Sequence, residues 1–144
     1  MKSREKEREE MLNAMLEPGE SYQLKIWGNF TLTTSGVLLL AGRSAAAGAL
    51  SNEPFYLGVT QTNMHFAMLD SFRPSIVKKF RTIALDTITG VKIKRGFSPG
   101  RKIIFLYFGK VKLRMALMSH SVGTDLKGQK EGVQWLCELL EQYQ

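Results

Sequence analysis

Cationic and aromatic side chains alternate along three neighbouring apolar segments between residues 88 and 117. Lysine and arginine neutralise phosphate groups, while aromatic rings stack on nucleic-acid bases or enter the interface of a lipid bilayer. The pattern therefore predicts a surface that binds an anionic ligand. The candidate residues are Lys92, Lys94, Phe105, Tyr107, Lys112 and Arg114.

Two turn signals predict which of these side chains face one another. Pro99-Gly100 interrupts one apolar run and Gly109-Lys110 the next, where glycine suits the first central position of a type II′ turn. Two-residue loops at both places give two rows across a sheet. The rows are Lys94, Phe105 and Arg114, and Lys92, Tyr107 and Lys112.

The opposite face of these segments is apolar in the same register. Because successive residues of a strand point to opposite faces, collecting the cations on one side collects a core on the other. The predicted core residues are Val91, Ile93, Ile104, Leu106, Phe108, Val111, Leu113 and Met115.

Two other interpretations of the cationic face remain open. Cations over rings on neighbouring strands stabilise an exposed pair by about 0.5 to 1 kcal/mol and keep a sheet soluble without any ligand. Alternatively, the apolar area of Ile103, Phe105 and Tyr107 is covered, either by an N-terminal helix or by a second copy of the chain. The helix residues that would cover it recur at a four-residue interval: Met11, Leu12, Met15 and Leu16.

Residues that could catalyse a reaction or bind a metal are few and scattered. His65 and His120 are the only histidines and Cys137 is the only cysteine, and their spacing matches neither a zinc site nor a cysteine-histidine pair. Acidic residues are sparse in the strand-like segments, so paired carboxylates have no candidates. We expect no enzymatic activity, no metal and no cofactor, and we expect His65 to be hydrogen-bonded within a strand.

The charge distribution indicates an anionic partner. The 144 residues carry a net charge of +7, but the stretch from Arg73 to Arg114 holds twelve basic residues and one acid, and the rest of the chain sums to −4. The single cysteine and the charged first ten residues favour a cytoplasmic protein. The longest apolar stretch, Val37 to Leu50, has 14 residues, which is short of the roughly 20 needed to cross a bilayer.

Hydrophobic periodicity predicts two helices around a set of strands. Ser3 caps a short helix that ends near Leu16, and from about Thr124 apolar residues return at helical spacing to Tyr143. Turns at Gly28-Asn29, 61–63 and 73–75 separate eight strands, which favour a barrel or sandwich. The predicted strands are 22–27, 30–40, 55–60, 64–69, 76–85, 88–97, 101–108 and 111–117, with an alanine-rich insert at 41–52.

Three segments, in order along the chain, carry a resemblance to a known family. Residues 16–20 (LEPGE) form an opening turn, residues 55–66 (FYLGVTQTNMHF) a hairpin, and residues 83–96 (IALDTITGVKIKRG) a strand-turn-strand. Together they resemble bacterial PH-like domains of the PH/GRAM superfold. The resemblance covers most of the chain from Leu16 onward.

The resemblance implies a mainly β fold, a bent barrel of about seven strands capped by a C-terminal helix, and the periodicity adds the short N-terminal helix in front of it. Residues 1–17 would be the amphipathic helix and 18–144 the barrel domain with its helix at 124–143. Trp135 would plug the barrel and be buried. PH domains that bind phosphoinositides carry a basic cluster on their first hairpin, where this chain offers only Lys25.

We therefore expect a non-enzymatic PH-like binding module, cytoplasmic and peripheral to the membrane. Its basic, aromatic face would meet an anionic phospholipid surface or a protein partner, in a monomer or a homo-oligomer. The alternative is a nucleic-acid-binding barrel that uses the same face.

Overall fold

The computed structural model describes residues 4–31, 52–69, 77–95, 101–109, 111–118 and 129–143. These ranges contain two α-helices, α1 (Arg4–Asn13) and α2 (Gln129–Leu140). The strands are β1 (Leu24–Thr31), β2 (Asn52–Val59), β3 (Asn63–Leu69), β4 (Val77–Ala84), β5 (Gly90–Arg95), β6 (Arg101–Phe108) and β7 (Val111–Met118). They form one open, bent antiparallel sheet in the order β4-β3-β2-β1-β7-β6-β5, which confirms the mainly β prediction with its two terminal helices.

The core lies between the inner face of the sheet and α2. Phe30, Phe55 and Phe66 meet at its centre, with ring centroids 4.5 to 5.2 Å apart. Leu136 and Leu140 of α2 are fully buried against this face. Burial of such side chains contributes about 1.5 to 3 kcal/mol each, so this contact holds the helix on the sheet.

The predicted turn at Gly28-Asn29 is wrong, because β1 runs unbroken through it. Gly28 pairs with Phe55 of β2, and from Asn29 onward β1 pairs with β7 as well. A Cβ atom at position 28 would lie 2.5 Å from Leu117 Cδ2 and 2.9 Å from Phe55 Cζ. The absence of a side chain at position 28 allows this close packing, and the described residues form seven strands where the sequence predicted eight along the chain. The remainder of the predicted strand 30–40 and the insert 41–52 fall almost wholly outside the described residues.

The register of the basic strands is confirmed on one side and wrong on the other. Phe105 pairs with Arg114 across β6 and β7, and Gly109 has the positive φ of 65° that its turn requires. Across β5 and β6, however, Phe105 pairs with Lys92, and Tyr107 pairs with Gly90. The offset is two residues, so each side chain keeps its face and the apolar pattern could not detect the error. The Pro99-Gly100 turn itself lies outside the described residues.

Helix α1 lies on the other half of the sheet from the one predicted. Leu12 is fully buried against Tyr56, Ala67 and Leu69 on the outer side of β2 and β3, so α1 does not cover Phe105. The Tyr22 hydroxyl donates a hydrogen bond to the Leu12 carbonyl oxygen. This contact ties the C-terminal end of the helix to the start of the sheet.

The predicted burial of Trp135 is also wrong. Trp135 is 56% exposed, whereas Val133, Leu136 and Leu140 form the buried stripe of α2. Adjacent residues of an α-helix are about 100° apart, and Trp135 falls outside the arc that faces the sheet. The aromatic residue therefore stands on the surface of the cap.

A buried amide joins α2 to the place where β1 and β7 separate. Gln129, 3% exposed, accepts a hydrogen bond from Trp27 N (3.1 Å) and donates to Trp27 O and Met118 O (both 2.9 Å). Backbone groups on the free edge of β1 are thereby satisfied by a side chain instead of a neighbouring strand.

Candidate functional site: the basic face of β5 to β7

Phe105 is the centre of the predicted site, and three cations lie over its ring. Lys112 Nζ is 4.4 Å from the ring centroid, Lys94 Nζ is 5.6 Å from it, and Arg114 Cζ is 5.9 Å from it. All three distances fall within the range of cation–π attraction. The central strand supplies the ring, and each neighbouring strand supplies at least one cation.

Tyr107 and Lys92 lie at the margin of this cluster. Lys112 Nζ is 6.0 Å from the Tyr107 ring centroid, and the β5 residue opposite is Gly90, which has no side chain. Lys92 is exposed on the same face, opposite Phe105 in the ladder. All six predicted residues thus share one surface, which we call the basic face, although the contacts concentrate on Phe105.

Ile103 departs from the predicted apolar patch. It is only 7% exposed and pairs with Lys94 and Ala116. The exposed apolar area of the basic face is therefore smaller than the sequence predicted. It consists of the two half-buried rings of Phe105 and Tyr107.

His65 belongs to a polar network on the other half of the sheet, as expected for a hydrogen-bonded strand residue. Its Nδ1 lies 2.7 Å from Thr82 Oγ1, and its Nε2 lies 3.0 Å from Glu20 Oε1. Glu20 also accepts hydrogen bonds from Asn63 Nδ2 and from Glu17 N. These donors, Asn63 first, lower the pKa of Glu20 from 4.5 to about 2.

Where the structure describes them, the other reactive groups are not assembled into a site, and His120 lies outside the described residues. Cys137 is half-buried on α2, and burial raises the pKa of its thiol, which disfavours the nucleophilic thiolate. Among the described residues, no group of three or more histidine, cysteine or acidic side chains could hold a metal ion. Within the same ranges, no helix has the length and apolar character needed to cross a membrane.

Sequence comparisons give no relative, whereas structural comparisons give the fold. No family model and no curated protein matches the chain. The hSac2 domain of the human phosphoinositide phosphatase Sac2 superimposes with a TM-score of 0.54 at 11% identity, covering 99% of this chain and 84% of that one. The C-terminal domain of an unknown protein from Leishmania infantum gives 0.51 at 10% identity, covering 93% and 92%. A seven-stranded antiparallel sheet with a C-terminal helix fits a PH-like fold, and at these identities the likeness concerns the fold alone.

Proposed function

We propose that this protein is a non-enzymatic PH-like binding module of the bacterial type that docks on an anionic membrane surface through its basic face. The observation that carries the proposal is the convergence of Lys94, Lys112 and Arg114 on one ring. Three cations held within 6 Å of a common point make a compact positive site, and an anionic bilayer offers phosphate groups to it without requiring one fixed ligand geometry.

The same observation favours a lipid surface over single-stranded nucleic acid. A base that stacks on an aromatic side chain needs an uncovered ring face. The face of Phe105 is occupied by cations, the nearest being Lys112 at 4.4 Å. For this face, neutralisation of phosphate charge is therefore a stronger recognition mode than stacking of a base on Phe105.

Vesicle sedimentation tests the proposal. We expect the protein to bind vesicles that contain phosphatidylserine with phosphatidylcholine and not to bind vesicles of phosphatidylcholine alone. Binding to the anionic vesicles should weaken as the salt concentration rises from 50 to 200 mM. A basic side chain near an anionic surface contributes about 1 kcal/mol to the binding free energy. Replacing the four basic residues of the basic face should therefore weaken vesicle binding roughly thousandfold. The quadruple variant is Lys92→Gln, Lys94→Gln, Lys112→Gln and Arg114→Gln.

A matched pair of double variants distinguishes binding through the basic face from binding that depends only on the net charge of the protein. Lys92→Gln with Lys94→Gln should weaken vesicle binding about 30-fold. Lys6→Gln with Lys130→Gln removes the same charge from the two helices and should change binding less than threefold. Equal effects of the two double variants would refute the basic face as the docking surface.

A gel shift with single-stranded DNA tests the competing ligand. Phe105→Ala should leave most of the electrostatic attraction to vesicles, whereas a stacking platform would lose about 1 to 3 kcal/mol per base. Tighter binding to the strand than to anionic vesicles, with loss on Phe105→Ala, would mean that the face serves nucleic acid.

A further inference from the structure

The exposed indole of Trp135 stands in a groove between α2 and the start of β1. Two adjoining clefts, of about 340 and 200 Å³, share Trp135, Gln23 and Leu24 in their walls. Leu24 is buried and Leu139 half-buried, so the groove has an apolar lining beside the ring. An exposed tryptophan next to an apolar cleft indicates a binding site better than an isolated surface side chain does, because it is unfavourable to leave a large aromatic area exposed to water.

Carboxylates flank the indole along the helix. Glu131 precedes Trp135 by four residues and Glu138 follows it by three, which places all three on one side of α2. Glu131 lines the first cleft and Glu138 the second. Both are exposed, and Glu138 accepts one long hydrogen bond of 3.4 Å from Gln134 Nε2.

Two cations in the wall of the first cleft, Arg8 and Lys25, make contacts within the protein. Lys25 Nζ forms an ion pair with Glu9, and Arg8 Nη1 donates to the Lys25 carbonyl oxygen while Nη2 contacts the same glutamate. Arg8 is 3% exposed. Arg8 and Lys25 share the one carboxylate of Glu9, so these three groups together with Glu131 and Glu138 have a net charge of −1, and the charges next to Trp135 are the two carboxylates.

We propose that this groove, the Trp135 groove, binds a short segment of a partner protein that carries an arginine or lysine between apolar residues. The cation lies over the indole, between the carboxylates of Glu131 and Glu138, and the apolar neighbours pack against Leu24 and Leu139. Tryptophan is the aromatic side chain that attracts cations most strongly, and two flanking carboxylates add ion pairing to that attraction. This site uses none of the residues of the basic face.

Calorimetric titration with synthetic peptides tests this inference. The probe is a capped seven-residue peptide with one central arginine flanked by leucine and serine, at 150 mM salt. Its control carries citrulline, which matches arginine in shape and lacks the charge. We expect the arginine peptide to bind at least about tenfold more tightly than the citrulline peptide.

Three protein variants locate the binding. Trp135→Leu keeps apolar volume but removes the π face, and should weaken arginine-peptide binding about tenfold. Glu131→Gln with Glu138→Gln should weaken it similarly, whereas Glu141→Gln, which removes one negative charge outside both clefts, should not. Because all four side chains are exposed, these variants should fold as the parent does, which circular dichroism checks.

Several results would overturn the inference. Equal affinity for the arginine and citrulline peptides would show that the groove does not recognise the cation. Unchanged peptide binding by the Trp135→Leu variant would show that the peptide binds elsewhere on the protein. A parent that sediments as a dimer, and becomes a monomer on Trp135→Leu, would mean that a second copy fills the groove. The quadruple variant of the basic face should bind the peptide as the parent does, so failure of the membrane proposal leaves this one standing.

Discussion

Replacing Gln129 should cost more stability than any other substitution of a polar residue on α2. Its carboxamide makes three hydrogen bonds, to Trp27 N, Trp27 O and Met118 O, while it is 3% exposed. Gln129→Ala removes all three and leaves three backbone groups without these partners. At a net value of about 1 kcal/mol for each hydrogen bond, we expect a loss of about 3 kcal/mol in the free energy of unfolding.

Gln129→Glu separates hydrogen bonding from packing, because the two side chains have nearly the same shape. The carboxylate still accepts from Trp27 N but cannot donate to Trp27 O or Met118 O, so two carbonyl oxygens face a negative charge. Burial and these oxygens should raise the pKa of the new carboxyl group in the folded state. The variant should therefore be strongly destabilised at pH 7 and regain stability as the pH falls and the group is protonated.

Urea and thermal denaturation measure both effects. A loss of about 3 kcal/mol corresponds to a decrease in Tm of about 10 °C for a domain of this size. Gln134→Ala is the matched control, since Gln134 is exposed on the same helix and should change stability by less than about 0.5 kcal/mol. Gln129→Glu as stable as the parent at pH 7 would refute the role assigned to the carboxamide.

Three further perturbations follow from the same structure. Because its pKa is lowered to about 2, Glu20 contributes stability that is present above pH 4.5 and lost as the pH falls towards 2, and Glu20→Gln should flatten that part of a stability profile. Gly132→Ala should lower the free energy of unfolding, measured in urea, by about 1 to 3 kcal/mol, because the added Cβ would lie 2.5 Å from Ile26 Cγ2. Alanine favours helices, so a stabilised variant would show instead that the helix can shift to accommodate the Cβ. Tyr22→Phe removes the hydrogen bond to Leu12 O and should speed amide exchange in α1 more than in β6, whereas uniform acceleration would contradict a local clasp.

The strands and their faces could be predicted from the sequence because the alternation of apolar and polar residues along a strand is a local property. Leu106 and Leu113 could be assigned to the core, and Phe105 and Tyr107 to the other face, without knowing which strands pair. The β5–β6 register was not accessible. Every register that differs by two residues satisfies the same alternation, and only the length of the connection before Arg101 decides among them.

Tertiary packing explains the other errors. Gly28 looked like a turn residue, but Leu117 and Phe55 approach it too closely for any side chain. Gln129 could have been noticed, since the spacing of the buried stripe Val133, Leu136 and Leu140 extends back to it. A polar residue on a buried helical stripe must find hydrogen-bond partners, and this position predicts them on the sheet.

The two-residue offset between β5 and β6 gives the basic face a direction. Three cations gather at Phe105, while Tyr107 lies about one strand repeat away, beside Gly90, where Lys112 is the one cation in reach among the described residues. Such a surface looks different after a half-turn in its own plane. If the basic face docks on a flat anionic layer, the attraction is stronger at the Phe105 end than at the Tyr107 end, so the protein would tilt with the Phe105 end closer to the layer.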